Sequence, residues 1–159
     1  MQKILVVGIG NVGRADDGLG WAFLEQLESN DCFELQYRYQ LQVEDSELIS
    51  HYEKVWFVDA SHAKYSEGYH HEVLKAERLL SYTSHALPPS AVLSLCHDIY
   101  GKYPEAHLLG ISGDEWGLRN GMSHVATERL ECALNFFYRT LQDHVAAEIF
   151  QESIFKGIL

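Results

Sequence analysis

The sequence is short of cationic residues, of prolines and of long apolar runs, and each shortage excludes a class of protein. Only 12 Lys and Arg stand against 23 Asp and Glu. The resulting formal charge of −11 argues against a general surface for nucleic acid or for anionic membrane. Three prolines and no Pro-rich linker favour one domain over residues 1–159. No apolar stretch approaches the roughly 18 residues that a membrane-spanning helix needs.

Cysteine is also scarce. Cys32, Cys96 and Cys132 are widely spaced and odd in number, and no CxxC pair is present. This pattern argues against a disulfide framework or a zinc knuckle and favours free thiols in a reducing compartment. The first residues contain one Lys and a short apolar run followed by glycines, which is typical of a first strand rather than a signal peptide. We therefore expect a cytoplasmic protein.

Short β-rich apolar runs alternate with helical patterns along the chain. Strands are predicted at residues 3–8, 33–41, 54–59, 69–75 and 106–112. Helices are predicted at about 16–29, 46–51, 88–100 and 126–145. The fourth strand contains His and Glu and is expected at an edge. This alternation predicts a three-layer α/β domain in which helices cover both faces of a mostly parallel sheet.

A glycine-rich loop follows the first strand. Gly8, Gly10 and Gly13 fit the G-x-G-x-x-G pattern of dinucleotide-binding domains. However, Asp16 and Asp17 occupy the helix start where a pyrophosphate would lie, and anions at such distances repel. The second strand also closes without the acid that binds ribose. We therefore interpret the glycines as structural: they let the chain turn sharply and let the helix pack closely on the sheet.

Two carboxylates are predicted to meet at one end of the sheet. Asp16 is interpreted as a helix N-cap, whereas Asp17 follows the first strand and Asp59 closes the third. In an open α/β sheet, ligands bind in the crevice beyond the carboxyl ends of the strands. Two carboxylates in one crevice need a shared proton or cation. The sequence therefore predicts a metal site that contains Asp17 and Asp59.

The third ligand is harder to choose among nine His residues. His70 and His71 lie on a predicted strand and point to opposite faces, so both cannot join one site. His85, in the loop TSHALPP, is favoured, and His62 is its best rival. Carboxylate oxygen together with imidazole suits a borderline divalent ion such as nickel or zinc.

Three segments carry a resemblance to a known family. The stretches ILVVGIGNVGRADDGLG, VWFVDAS and TSHALPPSAVLSL resemble, in order and spacing, three motifs of the endopeptidases that mature the large subunit of [NiFe] hydrogenases. The resemblance covers about residues 1–141. It implies a three-layer α/β/α sandwich of the phosphorylase/hydrolase-like kind. It also implies that Asp17, Asp59 and His85 are metal ligands, with Asp17 and Asp59 catalytic.

The resemblance further implies an activity and a partner. Members of this family remove a short C-terminal extension from the nickel-loaded hydrogenase large-subunit precursor. Nickel, the substrate's own ion, is the implied metal, and zinc or cadmium are expected to substitute in vitro. The protein is expected to act as a monomer. Since the H-E-x-x-H, G-x-S-x-G and D-T-G signatures are all missing from the sequence, metal-assisted hydrolysis is the consistent mechanism.

The chain departs from the family pattern after its second strand. Many members carry a D-G-G-T-like stretch there, whereas this chain reads YQLQVEDSEL. The Gln-Leu pair resembles the subgroup that serves bidirectional, NAD-linked hydrogenases, so Gln40 and Leu41 are predicted to select the precursor. Two alternatives stay open at this point. One is a non-catalytic metal-binding chaperone of the precursor, and the other is a nucleotide-binding Rossmann-like domain.

Overall fold

The computed structural model describes residues 2–79 and 86–157, with side chains described up to residue 144. The described chain forms five strands: β1 (Ile4–Ile9), β2 (Phe33–Arg38), β3 (Lys54–Ser61), β4 (Tyr69–Val73) and β5 (Glu105–Ser112). It also forms four α-helices: α1 (Leu19–Glu25), α2 (Asp45–Ser50), α3 (Pro89–Leu95) and α4 (His124–Gly157). A 3-10 turn (Ala15–Gly18) leads into α1, and a π-helical turn (Cys96–Tyr100) extends α3.

The strands form one sheet in the order β2-β1-β3-β5-β4. β1, β2, β3 and β5 are parallel, and β4 pairs antiparallel with β5 at the edge. The chain moves from β1 outward to β2 and then crosses to β3 on the other side of β1. The strand order therefore reverses between β1 and β3, and ligands of open α/β sheets bind at such a reversal.

Both faces of the sheet are covered, as a parallel sheet requires. On one face, Val6 and Trp56 belong to a buried cluster with Phe23 of α1 and Phe137 of α4. On the other face, β1 and β3 pack with α2 and α3 in a cluster that includes Leu5, Val7, Phe57, Ile49 and Val92. The alternation of Leu5, Val6 and Val7 between the two clusters explains why β1 is apolar at every position. The predicted three-layer α/β/α sandwich with a mostly parallel sheet is confirmed.

Element boundaries differ from the prediction where tertiary contacts act. The helix predicted at 16–29 is a 3-10 turn followed by an α1 that ends at Glu25. The strand predicted to stop at Asp59 continues to Ser61, because β5 remains paired with it through Ser112. The last helix begins at His124 and extends to Gly157. Asp59 is therefore an internal residue of β3 rather than its last.

The glycines act as the sequence predicts. A Cβ on Gly8 would lie 2.6 Å from the carbonyl oxygen of Gly20, at the start of α1, and a Cβ on Gly20 would lie 2.6 Å from that of Val58. Gly10 has a φ of +145°, and a Cβ there would collide with the carbonyl oxygen of Asp17. The backbone of the turn before α1 thus touches the backbone of the sheet, which brings Asp17 to the carboxyl ends of the strands.

A substitution tests this close approach. Gly20→Ala is expected to lower the free energy of unfolding by about 3 kcal/mol, because two strand carbonyls must shift to admit the methyl group. Gly117→Ala is the matched control, since a Cβ at Gly117 meets no atom within 4 Å. Urea denaturation of both variants measures the difference. Equal stability of the two variants would show that α1 can move away from the sheet at little cost.

Histidines also join the strands at the end opposite the carboxyl ends. His107 shares a 2.9 Å hydrogen bond with His71 and a 2.6 Å hydrogen bond with Glu105. Trp56 stacks on His107 with ring centroids 4.4 Å apart. Burial lowers the pKa of His71 and of His107. His70 stacks instead on Tyr65, so the prediction that neighbouring His70 and His71 face opposite sides is confirmed.

Two further observations concern the cysteines and the membrane. Cys96 is buried, while Cys32 and Cys132 are exposed, and all three are free thiols. Within the described part of the chain, no helix combines the length and the apolar character that crossing a membrane requires.

Candidate active-site crevice

Asp17 and Asp59 lie at the strand-order reversal. Asp59 pairs with Ile9 of β1 and with Gly110 of β5, so it is central in the sheet and near its carboxyl edge. Asp17 lies in the 3-10 turn that the glycine loop places over this edge. The negative charge of Asp17 acts on Asp59 strongly enough to contribute to its raised pKa. The structure therefore places the two predicted carboxylates at the same edge of the sheet, close enough for the charge of one to act on the other.

Asp59 is an unusual acid. Burial raises its pKa to about 7, the backbone hydrogen bond from Ala60 opposes this shift, and the charge of Asp17 adds to it. At neutral pH the carboxyl is thus close to its midpoint and shares its crevice with another carboxylate. A cation placed between the two acids would remove both the burial penalty and the repulsion. The donor set formed by Asp17 and Asp59 fits a divalent ion.

Asp17 is oriented by the glycine loop. Its Oδ2 atom accepts a 3.0 Å hydrogen bond from the backbone N–H of Asn11. The side chain of Asn11 in turn accepts a 2.9 Å hydrogen bond from the backbone N–H of Gly13. Oδ1 of Asp17 accepts no hydrogen bond within residues 2–79 and 86–144. The loop thus fixes the direction of one carboxylate oxygen of Asp17.

Asp16 is not the helix cap that the sequence suggested, and that interpretation is wrong. Its buried carboxylate accepts hydrogen bonds from the backbone N–H groups of Asp114 (2.7 Å), Glu115 (2.8 Å) and Ser123 (2.7 Å), and from the Ser123 hydroxyl (2.8 Å). Burial alone would raise the pKa of Asp16, but these hydrogen bonds outweigh it and hold the pKa below its usual value. Asp16 ties the loop between β5 and α4 to the turn that carries Asp17.

The histidine ligand is not located by the structure. His85 belongs to residues 80–85, which lie outside the described residues. Its rival His62 is exposed and stacks on Trp116 with ring centroids 3.7 Å apart. In the described part of the chain, no three His, Cys, Asp or Glu side chains are grouped closely enough to hold an ion. The described residues thus supply two carboxylates, and the third ligand stays a prediction.

Gln40 and Leu41 occupy different environments. Leu41 is only 2% exposed and packs in the core cluster with α2 and α3. Gln40 is exposed and lines a surface cavity of about 500 Å³ beside the end of β2, together with Tyr39 and Arg38. Of the pair predicted to select the precursor, Gln40 alone is exposed at the surface.

The glycine loop leaves little room for a nucleotide. The space beside Gly10 is filled by the backbone of Asp17, and the first turn of the helical segment holds two acids, Asp16 and Asp17. A pyrophosphate would displace protein backbone and meet negative charge. The crevice therefore suits a cation better than an anion.

Ser123 and Trp116 were not recognised as site-building residues from the sequence. Ser123 accepts the backbone N–H of Ala126 at 3.1 Å, as a helix N-cap does, and this could have been read from a Ser just before an amphipathic helix. Trp116 lies in an irregular loop, where neither periodicity nor a motif marks it.

These observations define a class of protein by fold and site: an α/β sandwich with two neighbouring carboxylates at the point where the strand order reverses, which we call the switch point. No protein-family model and no curated protein sequence matches the chain. Solved structures do match. The [NiFe] hydrogenase maturation protease HycI from Thermococcus kodakarensis KOD1 aligns with a TM-score of 0.66 at 24% identity, over 89% of this chain and 93% of that one.

Two further solved structures have the same fold. The hydrogenase 2 maturation peptidase from Thaumarchaeota archaeon SCGC_AB-539-E09 aligns with a TM-score of 0.64 at 18% identity, over 89% of this chain and 99% of that one. The hydrogenase maturating endopeptidase HybD from E. coli aligns with a TM-score of 0.63 at 20% identity, over 90% and 94%. The resemblance found in the sequence is thus matched by the fold.

Proposed function

We propose that this chain is an endopeptidase that removes the C-terminal extension of a [NiFe]-hydrogenase large-subunit precursor after nickel insertion. The observation that carries the proposal is the pairing of Asp17 and Asp59 at the switch point, where Asp59 has a pKa of about 7. Support also comes from the fold, which is that of solved hydrogenase maturation proteases. The three sequence motifs add Asp17, Asp59 and His85 as the expected ligands.

Nickel enters this scheme as part of the substrate. Bound at these carboxylates, the ion would supply Lewis acidity, which activates a peptide carbonyl or a water molecule for hydrolysis. Asp17 and Asp59 would bind it, with His85 completing the set. Asn11 keeps one oxygen of Asp17 in a fixed direction, while Asp16 holds the opposing loop in place. Zinc or cadmium would occupy the same oxygen and nitrogen ligands in vitro.

The decisive experiment is cleavage of candidate precursors with and without nickel. Loss of the C-terminal extension, seen by mass spectrometry only for the nickel-loaded precursor, is the expected result. Stable binding without a change in mass would identify a non-catalytic chaperone instead. Cleavage that is equally fast without nickel would remove the ion from the proposed mechanism.

Metal binding is expected to stabilise the protein in a pH-dependent way. The increase in Tm caused by nickel or zinc should be larger at pH 8 than at pH 6. Because Asp59 has a pKa of about 7, an ion that binds at pH 6 must first displace a proton from its carboxyl, whereas at pH 8 most of the carboxyl is already ionised. NAD serves as the comparison ligand and is expected to leave Tm unchanged. A Tm raised by NAD and indifferent to metals would favour the nucleotide-binding alternative.

We further propose that Gln40 helps to select the precursor, in keeping with the subgroup that serves bidirectional, NAD-linked hydrogenases. Gln40→Ala is expected to change the ratio of kcat/KM between two precursors by about tenfold, which corresponds to the roughly 1.4 kcal/mol of one lost hydrogen bond. Gln26→Ala is the control, because Gln26 is an exposed glutamine that does not line this cavity. An equal fall on every precursor would contradict a role in selection.

A further inference from the structure

His62 and Trp116 form a stacked pair at the mouth of the crevice. Their ring centroids are 3.7 Å apart and their planes meet at 25°. His62 directly follows β3, the strand of Asp59, and Trp116 lies in the loop that follows β5. Since β3 and β5 are neighbours and parallel, both loops emerge at the edge of the sheet that carries the two carboxylates.

The indole of Trp116 packs against the backbone of Gly113. A Cβ added to Gly113 would lie 2.6 Å from the ring of Trp116 and 3.0 Å from the Cβ of Asp16. The ring thus occupies the space that any side chain at position 113 would fill. The backbone N–H of Gly113 donates a 2.9 Å hydrogen bond to the carbonyl of Ser61, which joins the two loops at their bases.

The loop that carries Trp116 is held at several points. Asp16 accepts the N–H groups of Asp114 and Glu115, and Lys64 forms a 2.7 Å ion pair with Asp114. Despite these ties, His62 is exposed and Trp116 is only half-buried. The contacts therefore fix a flat aromatic surface at the carboxyl edge of the sheet instead of burying it.

The same loop continues the apolar surface outward. Leu118, two residues beyond Trp116, is 85% exposed. The backbone of Arg119 bridges to that of Arg14 in the glycine loop, and the Ala15 N–H donates to the Arg119 carbonyl at 2.9 Å. The loop that carries Trp116 and Leu118 is thus fastened to the turn that carries Asp17.

We propose that the His62–Trp116 stack is the surface on which the precursor segment next to the scissile bond lies, with Trp116 as a positioning residue. The inference rests on the proposed function and deepens it. Its substrate is an extended, apolar stretch of polypeptide that packs a flat or aliphatic group on the rings. Rigid aromatic side chains provide a large contact area at low conformational-entropy cost. Their loss should weaken precursor binding more than it slows the chemical step.

Steady-state cleavage of a nickel-loaded precursor tests this inference. Trp116→Ala is expected to raise KM about tenfold and to change kcat less than about threefold, because binding area is lost while the carboxylates stay in place. Trp116→Phe should restore most of the affinity. Gly113→Ala should also raise KM, since a Cβ at position 113 displaces the Trp116 ring, and it presses on the Cβ of Asp16 as well. The melting temperatures of all variants are measured to check that each variant folds.

The chain offers a matched control. His97 and Tyr103 form another aromatic pair, with ring centroids 4.5 Å apart, on the opposite edge of the sheet before β5. Tyr103→Ala is expected to leave KM unchanged. Wild-type KM in Trp116→Ala, or a fall in kcat alone, would overturn the inference while leaving the peptidase function intact. A wild-type protein that cleaves no precursor would overturn the proposed function, and this inference with it.

Discussion

Asp59→Asn is expected to abolish precursor processing and, at the same time, to stabilise the metal-free protein at pH 8. The amide removes a negative ligand from the crevice, so the ion can no longer be held by two carboxylates. The same change removes a buried charge that nothing in the described crevice neutralises. Activity and stability should therefore move in opposite directions, as is common where a functional site carries an internal cost.

The sign of the stability effect follows from the raised pKa of Asp59. Its carboxyl is protonated more readily in the folded chain, at about pH 7, than in the unfolded chain, near 3.8. A raised pKa contributes stability that is fully present below pH 3.8 and is lost as the pH rises through about 7. Asparagine stays neutral throughout. The gain from Asp59→Asn should be near zero at pH 4 and about 2 kcal/mol at pH 8, after allowance for solvent that enters the crevice.

Urea denaturation at pH 4 and pH 8, with a cleavage assay on the same samples, measures both halves of this prediction. Asp31→Asn is the control, because Asp31 is an exposed acid in the loop before β2, at the end of the sheet opposite the two carboxylates. If Asp59→Asn kept wild-type cleavage, the crevice would not be the catalytic site. If it lost cleavage without gaining stability at pH 8, the Asp59 charge would already be compensated in the metal-free protein.

The layers of the fold were predictable because they depend on local patterns. Apolar runs such as that of β1 belong to strands covered on both faces, and the steps of three and four residues in α4 mark a helix with one buried stripe. The glycine loop was predictable for the same reason, since a tight turn and a close backbone approach have few alternatives to Gly8 and Gly10. Asp17 and Asp59 could be chosen as candidate site residues because ligands of open α/β sheets bind beyond the strand ends.

What could not be predicted depends on residues far apart along the chain. Asp16 looks like a helix cap in any local window, yet its hydrogen-bond partners lie 98 to 107 residues away. The continuation of β3 beyond Asp59 depends on pairing with β5, which no local pattern near Asp59 encodes. The ring of Trp116 fills the space that a side chain at Gly113 would need, and it stacks on His62 of another loop. In each case the signal lies in tertiary contacts rather than in periodicity.

The revised role of Asp16 gives the second large expected effect. Loss of a helix cap costs about 1 kcal/mol, whereas Asp16→Ala leaves three backbone N–H groups and one hydroxyl without their buried acceptor. We expect a loss of about 4 kcal/mol in the free energy of unfolding, because unsatisfied donors in a buried site carry most of their desolvation penalty. Cleavage should fall as well, since the loop that carries Trp116 loses its tie to the turn that carries Asp17.

Denaturation of Asp16→Ala at neutral pH measures this loss, and Asp114→Ala is the matched control. Asp114→Ala removes an exposed ion pair with Lys64 but keeps the backbone N–H that donates to Asp16, so it should cost less than about 1 kcal/mol. Because the pKa of Asp16 is held below 3.8 in the folded chain, its contribution is present above that pH and is lost as the pH falls through the lowered value. The difference between wild type and Asp16→Ala should therefore shrink in acid. If Asp16→Ala lowered the free energy of unfolding by only about 1 kcal/mol at neutral pH, Asp16 would contribute no more than an ordinary acid in a first helical turn. The loop between β5 and α4 would then be held by its other contacts.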